Sequence, residues 1–94
     1  MSRIHTIFFK NGEIGLSSVQ KHEISELFEK LKIKRSTRIT LTIKTTDMEG
    51  STSVEDTMRR DNVEKFLKLF DVKRIILKEE LSYSQSGMVF IDTY

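Results

Sequence analysis

The clearest strand signal in the chain is the central stretch STRITLTIKTT, residues 36 to 46, which alternates apolar and polar side chains. Its apolar positions are Ile39, Leu41 and Ile43, and the polar positions beside them are Thr40, Thr42 and Lys44. Successive side chains of a strand point to opposite faces of the sheet, so one face is expected to be buried and the other open to solvent or to a partner. A sheet with a single apolar face needs one covering layer, which favours a two-layer fold.

Two amphipathic helices flank this strand and supply that layer. Apolar side chains recur at i, i+3, i+4 and i+7 in residues 18 to 32 and again in residues 54 to 70, which is the spacing of one face of an α-helix. The two stripes are Ile24, Leu27, Phe28 and Leu31, and Val63, Phe66, Leu67 and Phe70. Ser17 or Ser18 is suited to cap the first helix, and Ser53 with Asp56 fits a shortened capping box for the second.

Shorter signals at both ends of the chain predict the remaining strands. Residues 3 to 9 are β-prone, the Asn11-Gly12 pair fits a type I′ turn, and a short return strand at 13 to 16 could follow. Residues 72 to 83 and 87 to 94 predict two strands joined as a hairpin. The expected fold is therefore α+β: a two-layer sandwich with a mixed sheet of four to five strands and two helices on one face, in the order βαβαββ or ββαβαββ.

Composition excludes several classes of protein. A chain of 94 residues closes one core, and it contains no proline and a single polar linker-like stretch, TTDMEGSTS at residues 45 to 53. We therefore expect a single domain spanning residues 1 to 94. Cysteine is absent, which excludes disulfides and thiolate-bound metals. No apolar run approaches the ~20 residues of a membrane span, and no signal-peptide pattern is present. These features predict a soluble cytoplasmic domain with no membrane partner.

Neither a catalytic site nor a cofactor or metal site is predicted. Gly12 and Gly15 are not followed by the lysine and hydroxyl residue that a phosphate-binding loop requires. His22 and Glu26 stand four apart on a predicted helix and could form half of a metal site, but further ligands are not identifiable. The hydroxyl residues fall in caps, turns and a threonine-rich face, with no nucleophile elbow. We therefore expect no enzyme.

Basic residues are concentrated in one part of the chain. Residues 1 to 47 hold nine Lys and Arg against five Asp and Glu, whereas the remainder holds seven against nine. The densest cluster is at the end of the first helix, and two further cations stand at the corresponding corner after the second helix: Lys30, Lys32, Lys34, Arg35, Arg38, Lys73 and Arg74. Three readings remain open, namely a solvated surface, a ridge that contacts nucleic-acid phosphates, and a surface for an acidic protein.

An echo with a period of 39 residues relates the two corners. Sliding the first helix onto the second matches their apolar stripes and places IKR at 33 to 35 over VKR at 72 to 74. Any two amphipathic helices match in their apolar stripes, so only the shared basic residues after each helix need a further explanation. The echo is compatible with chance and with a duplicated helix-strand unit.

Apolar residues on predicted strands form a candidate protein interface. The side chains of adjacent strand residues point to opposite faces, so only one of Phe8 and Phe9 can enter the core. The last strand is apolar almost to its end, and at a sheet edge it would pair with a second copy. The predicted interface consists of Phe8, Phe9, Val89, Phe90, Ile91 and Tyr94.

Two functional hypotheses follow. The first is a small non-catalytic protein-binding or regulatory module, acting as a homodimer on a larger protein, of the size typical of inhibitors encoded by phages and other mobile elements. The alternative is a small nucleic-acid-binding protein that uses the cations at the end of the first helix.

Overall fold

Four strands and two helices alternate in the order βαβαββ in the computed structural model, which describes residues 2–45, 54–81 and 87–93. The elements are β1 (Ser2–Phe8), α1 (Ser18–Lys30), β2 (Arg38–Thr45), α2 (Val54–Lys68), β3 (Arg74–Leu81) and β4 (Met88–Thr93). The predicted α+β fold is confirmed, in the shorter of its two orders. The predicted cap at Ser53 lies outside the described residues.

The four strands form one mixed sheet in the order β1-β4-β2-β3. Strands β2 and β3 are parallel, and β4 is antiparallel to both β1 and β2. The predicted hairpin of the last two strands is therefore wrong, because β2 separates them. The crossover from β1 through α1 to β2 leaves a gap one strand wide, and the most apolar strand of the chain fills it. Burial on both edges suits such a strand better than a position at the sheet margin.

Both helices lie on one face of the sheet, as predicted. The two parallel crossovers advance in the same direction across the sheet, and right-handed connections then place both helices on the same side. The core consists of Ile7, Phe9, Ile24, Phe28, Ile39, Leu41, Ile43, Val63, Leu67, Val72, Val89 and Ile91. Leu31, predicted in the apolar stripe, is exposed because α1 ends one residue before it.

The segment that joins β1 to α1 is a turn without a return strand. The N–H of Glu13 donates to the carbonyl of Lys10 at 3.0 Å, which closes the turn around Asn11 and Gly12. Of the two central residues of this turn, only Gly12 has a positive φ, 84°, which is the pattern of a type II turn. The predicted type I′ geometry requires a positive φ at both residues and is therefore wrong. Ser17 then caps α1 through a capping box with Gln20.

A close backbone approach decides which of the two phenylalanines enters the core. The N–H of Phe9 donates to the carbonyl of Gly87 at 2.8 Å, and a Cβ on Gly87 would lie 3.1 Å from the carbonyl oxygen of Phe9. Gly87 also has a φ of 72°, which favours glycine there. Phe9 is buried and Phe8 is 67% exposed.

The face of the sheet opposite the helices is covered by its own side chains. The Arg3 guanidinium lies 4.0 Å from the centre of the Phe90 ring and the Lys44 amine 5.4 Å from it, within the range of cation–π attraction. Arg3 also pairs with Asp92 at 3.1 Å, and Lys44 pairs with Glu80 at 2.8 Å. These contacts link all four strands.

Thr40 and Thr42 on this face are buried, so the expectation of an open face at these two residues is wrong. Asp92 stands opposite Thr40 and Phe90 stands opposite Thr42 in the pairing of β2 with β4. Alternation along β2 assigned these residues to the correct face. It carried no information on how far the long side chains of neighbouring strands extend over them.

The ion pair between Lys44 and Glu80 leads to a prediction about proton binding. Its hydrogen bond and charge hold the pKa of the Glu80 carboxyl below 4.5. A lowered pKa in the folded state stabilises the fold above the unfolded pKa, and this contribution is lost as the pH falls through the folded pKa. Lys44→Met is therefore expected to raise the pKa of Glu80 towards 4.5, as measured by carboxyl-carbon NMR titration.

The matched control for this titration is Lys78→Met. Lys78 also lowers the pKa of Glu80, but it is the smallest of the causes. Its removal is expected to move the titration midpoint of Glu80 less than removal of Lys44 does. An equal or larger shift in the Lys78 variant would contradict the assignment of the effect to the Lys44 ion pair.

Candidate functional site

The first basic corner begins where α1 ends in a Schellman motif. The N–H of Ile33 donates to the carbonyl of Phe28 at 3.0 Å, and the N–H of Lys32 donates to the carbonyl of Glu29 at 3.1 Å. Lys32 has a φ of 53°, the left-handed conformation that usually selects glycine at this position. Ile33 packs against the core, so its two lysine neighbours, Lys32 and Lys34, lie on the surface.

The left-handed conformation of Lys32 leads to a stability prediction. Lys32→Gly is expected to raise the free energy of unfolding by about 0.5 to 1 kcal/mol, because glycine adopts this conformation without the steric cost of a Cβ. The control, Lys30→Gly in the last turn of α1, removes the same charge and is expected to lower it by about 0.5 to 1 kcal/mol. Urea unfolding followed by circular dichroism measures both, and a destabilised Lys32 variant would contradict this explanation.

The second basic corner, after α2, shares a left-handed residue and one hydrogen bond with the first, because the N–H of Asp71 donates to the carbonyl of Lys68 at 3.1 Å. Asp71 has a φ of 62° and stands 39 residues after Lys32. These two are the only described residues other than glycine with a positive φ. Val72, the equivalent of Ile33, is buried, and Lys73 and Arg74 follow it on the surface. The sequence echo thus extends to the backbone conformation at which each helix ends.

Pairing of the two parallel strands brings the corners together. The N–H of Lys73 approaches the carbonyl of Arg35 at 3.5 Å, and Arg38 stands opposite Arg74 at the start of the parallel pairing. All seven predicted cations are exposed at this end of the sheet, and we call them the basic ridge: Lys30, Lys32, Lys34, Arg35, Arg38, Lys73 and Arg74.

One acidic side chain lies within the basic ridge. The Asp71 carboxylate is 3.7 Å from the Nε atom of Arg35, and both side chains are mostly exposed. An exposed pair of this kind contributes little to stability. Its consequence is electrostatic, because it neutralises one of the seven cations.

The excess of positive charge lies at one end of the strand direction. The C-termini of α1 and α2 point to the end that carries the basic ridge, where cations complement the helix dipoles. The opposite end carries both signs of charge, because its acids Glu55, Glu79 and Glu80 form ion pairs with Arg59, Arg60 and Lys44. A field of this kind orients an approaching polyanion towards the ridge.

The predicted protein interface is not assembled on one surface. Strand β4 is paired on both edges, so the expectation that it lies at the margin of the sheet is wrong, and Val89, Phe90 and Ile91 are buried inside the protomer. Phe9 is also buried, which leaves Phe8 as the exposed member among the described residues. Tyr94 lies outside the described residues.

Arg59 is a structural residue that the sequence reasoning missed. Its guanidinium is buried and donates to the carbonyls of Glu13 at 2.6 Å and Lys10 at 3.2 Å. It also donates to the Asp56 carboxylate at 3.0 Å, and it lies 5.5 Å from the centre of the Phe9 ring. The spacing of Asp56 and Arg59 on one helix is the only sequence signal for this contact, and surface ion pairs have the same spacing.

A groove of about 440 Å³ lies on the outer side of the helix layer. Its apolar walls come from Leu16, Phe66 and Leu69, and Lys21 and Lys65 stand beside them. The Lys21 amine lies 6.0 Å from the centre of the Phe66 ring. The groove combines apolar and cationic surface, as does a site for an acidic ligand with apolar side chains.

The described residues include neither a cluster of metal ligands nor a helix suited to cross a membrane. Within residues 2–45, 54–81 and 87–93, no three His, Asp or Glu side chains gather closely enough to hold a metal ion. His22 and Glu26 form an exposed pair at 3.0 Å. Neither of the two described helices has the length and apolarity that crossing a membrane requires.

The chain matches no protein-family model and no curated protein.

Proposed function

We propose that this protein is a small non-catalytic protein that binds nucleic acid through the phosphates of its backbone. The observation that carries the proposal is the convergence of the two basic corners, where Arg35 and Lys73 meet through the backbone and Arg38 stands opposite Arg74. Seven exposed cations at one end of the sheet exceed what two helix C-termini need for charge complementarity. Phosphates are recognised by exposed lysine and arginine in this way, without sequence readout.

The arrangement favours nucleic acid over an acidic protein surface. The cations are distributed along the corners of two helix-strand units, and within residues 30–38 and 71–74 the only exposed large apolar side chain is Leu31. A stable protein interface needs a desolvated apolar centre, whereas binding to a phosphate backbone does not. The absence of cysteine agrees with a cytoplasmic site of action.

Binding to a fluorescent duplex DNA and to a single-stranded RNA of equal length tests the proposal. At about 50 mM salt the dissociation constant is expected in the micromolar range, with affinity falling steeply as salt is added, because each phosphate contact releases a counterion. Absence of binding to both probes at about 50 mM salt would refute the proposal.

A protein-binding module that regulates a larger protein is the second candidate. The groove beside Phe66 and Leu69 supports it, since Leu69 is 79% exposed and Lys21 and Lys65 stand next to this apolar surface. Its occupant would be an acidic peptide segment with apolar side chains. A partner bound there is expected to be lost in Leu69→Lys and retained in Lys34→Glu, whereas a partner bound through nucleic acid shows the reverse and is released by nuclease.

A further inference from the structure

Strand β3 forms an edge of the sheet that no described strand covers. It pairs with β2 at eight consecutive positions, from Arg74 to Leu81, without a shift in register. From Arg74 to Glu80 its residues are exposed, apart from half-buried Ile75, and Ile76 and Leu77 are 43% and 39% exposed. A regular edge of this length presents backbone N–H and carbonyl groups to any other strand that can approach.

The opposite edge of the sheet differs in this respect. The pairing of β1 with β4 shifts in register between Arg3 and His5, and such irregularities bend an edge strand and hinder further pairing. Strand β3 contains neither proline nor a shift. Among the described residues, this edge carries the charges of Arg74, Lys78, Glu79 and Glu80, and one side chain of α2 reaches it, since Arg60 lies 3.6 Å from Glu79. Opposite charges on an edge can also select a partner.

In one register, a second copy of β3 places opposite charges beside each other without opposing like charges. In an antiparallel pair related by a twofold axis perpendicular to the sheet, opposed residues share a face. The axis therefore passes midway between one residue and the same residue of the second copy. An axis at Ile76 opposes Arg74 to Lys78, and an axis at Lys78 opposes that lysine to itself. An axis at Leu77 opposes Arg74 to Glu80 twice, Ile76 to the stem of Lys78, and Leu77 to Leu77.

We propose that this chain forms a twofold dimer in which β3 pairs antiparallel with β3 of a second copy and Leu77 lies on the axis. The two sheets then continue as one sheet of eight strands. Glu80 lies between Lys44 of its own chain, 2.8 Å away, and Arg74 of the second copy. The Arg60 guanidinium donates to the carbonyl of Lys78 at 3.2 Å, and this contact is compatible with the dimer because a carbonyl oxygen has two lone pairs.

The dimer does not depend on nucleic-acid binding, and it uses a different surface from the interface predicted around β4. Its two basic ridges are held apart, because Arg74 of one copy lies six strand residues from Arg74 of the other along the strand direction, about 20 Å. Pairing of one strand buries less area than a standard interface, so the dissociation constant is expected in the micromolar range.

Sedimentation equilibrium of the full chain, without nucleic acid, tests the dimer between about 1 and 300 µM. The mass is expected to rise towards twice that of the 11.0 kDa chain. Leu77→Lys opposes two ammonium groups on the axis, and Arg74→Glu or Glu80→Arg opposes like charges twice, so each is expected to weaken the dimer at least about tenfold. Combining Arg74→Glu with Glu80→Arg restores the opposite charges and is expected to recover most of the affinity.

Val19→Lys is the matched control, since Val19 is an exposed apolar residue on α1, and it is expected to leave the dimer unchanged. Circular dichroism confirms that each variant is folded. The proposal is overturned if the wild-type chain stays at one chain mass at the highest concentration, if Leu77→Lys leaves a dimer intact, or if Val19→Lys weakens it equally. Failure of the charge swap to restore what the single reversals lose overturns the register.

Discussion

Replacing Arg59 by methionine is expected to lower the free energy of unfolding by about 3 kcal/mol. The Arg59 guanidinium is buried and donates to the Asp56 carboxylate and to the carbonyls of Lys10 and Glu13. Methionine fills similar space but donates nothing, so carbonyl groups covered by this side chain lose their donor. A small domain has about 5 to 15 kcal/mol of stability in total, so the loss is easily measured.

The effect of this substitution is expected to reach the turn between β1 and α1. Arg59 links this turn to α2 by hydrogen bonds, and Asn62 adds another by donating to the carbonyl of Ile14 at 2.8 Å. Amide hydrogen exchange in residues 9 to 16 is therefore expected to accelerate more than exchange in the central strands.

Two control variants separate the shape of the guanidinium from its charge. Arg59→Lys keeps the charge but cannot reach three acceptors in a fixed fork, so it is expected to lose about 2 kcal/mol. Lys68→Met, an exposed position on the same helix, is expected to change stability by less than about 0.5 kcal/mol. Urea unfolding measures all three variants. A loss below about 1 kcal/mol in Arg59→Met would show that this contact network is not what holds the turn.

Reversing two charges of the basic ridge is expected to weaken nucleic-acid binding about a hundredfold at about 50 mM salt. Lys34 and Arg38 are suitable because Lys34 is exposed on the short connection between α1 and β2, and Arg38 is exposed at the start of β2. The turn there uses the backbone N–H of Lys34, which donates to the Thr37 hydroxyl at 2.9 Å, so a new side chain leaves it intact. In Lys34→Glu/Arg38→Glu, the slope of log affinity against log salt concentration for the duplex probe is expected to become shallower by an amount equivalent to about two phosphate contacts.

Changes of charge elsewhere provide the comparison for this variant. Lys10→Glu alters the net charge as much as Lys34→Glu does, but at the end of the molecule opposite the basic ridge, so its effect on binding is expected to be several times smaller. Asp71→Asn is expected to strengthen binding a few-fold, because it frees Arg35 from its ion pair, and asparagine tolerates the positive φ. Equal effects of Lys10→Glu and Lys34→Glu would indicate net charge alone and would contradict a localised interface.

Local patterns predicted the elements of the fold well. The alternation around Leu41 and the helical spacing of Ile24 and Phe28 are properties of a few consecutive residues, and burial follows from them directly. The boundaries were less accurate. Both helices end two residues earlier than predicted, because Lys32 and Asp71 adopt left-handed conformations that helix propensity does not reveal.

Long-range pairing could not be predicted in the same way. The sequence placed the last two strands next to each other as a hairpin, which is the usual arrangement of neighbours in a chain. β2 separates them because the apolar strand β4 is buried more fully between β1 and β2 than beside β3 alone. This burial exists only once the sheet and the helices are assembled. The predicted interface around Phe90 was lost for the same reason, since a strand paired on both edges has no free edge.

The basic ridge illustrates how a local signal and tertiary structure combine. The sequence by itself determined that two cationic corners follow two similar helices, because charge and apolar spacing are visible in the order of residues. It also determined the α+β class and the absence of thiol chemistry. Only the tertiary structure decided that Arg38 stands opposite Arg74, that Arg59 is buried, and that no described strand pairs with the outer edge of β3. The physical reason is that the order of residues specifies what each segment prefers to bury, whereas strand order and close packing select which distant groups meet.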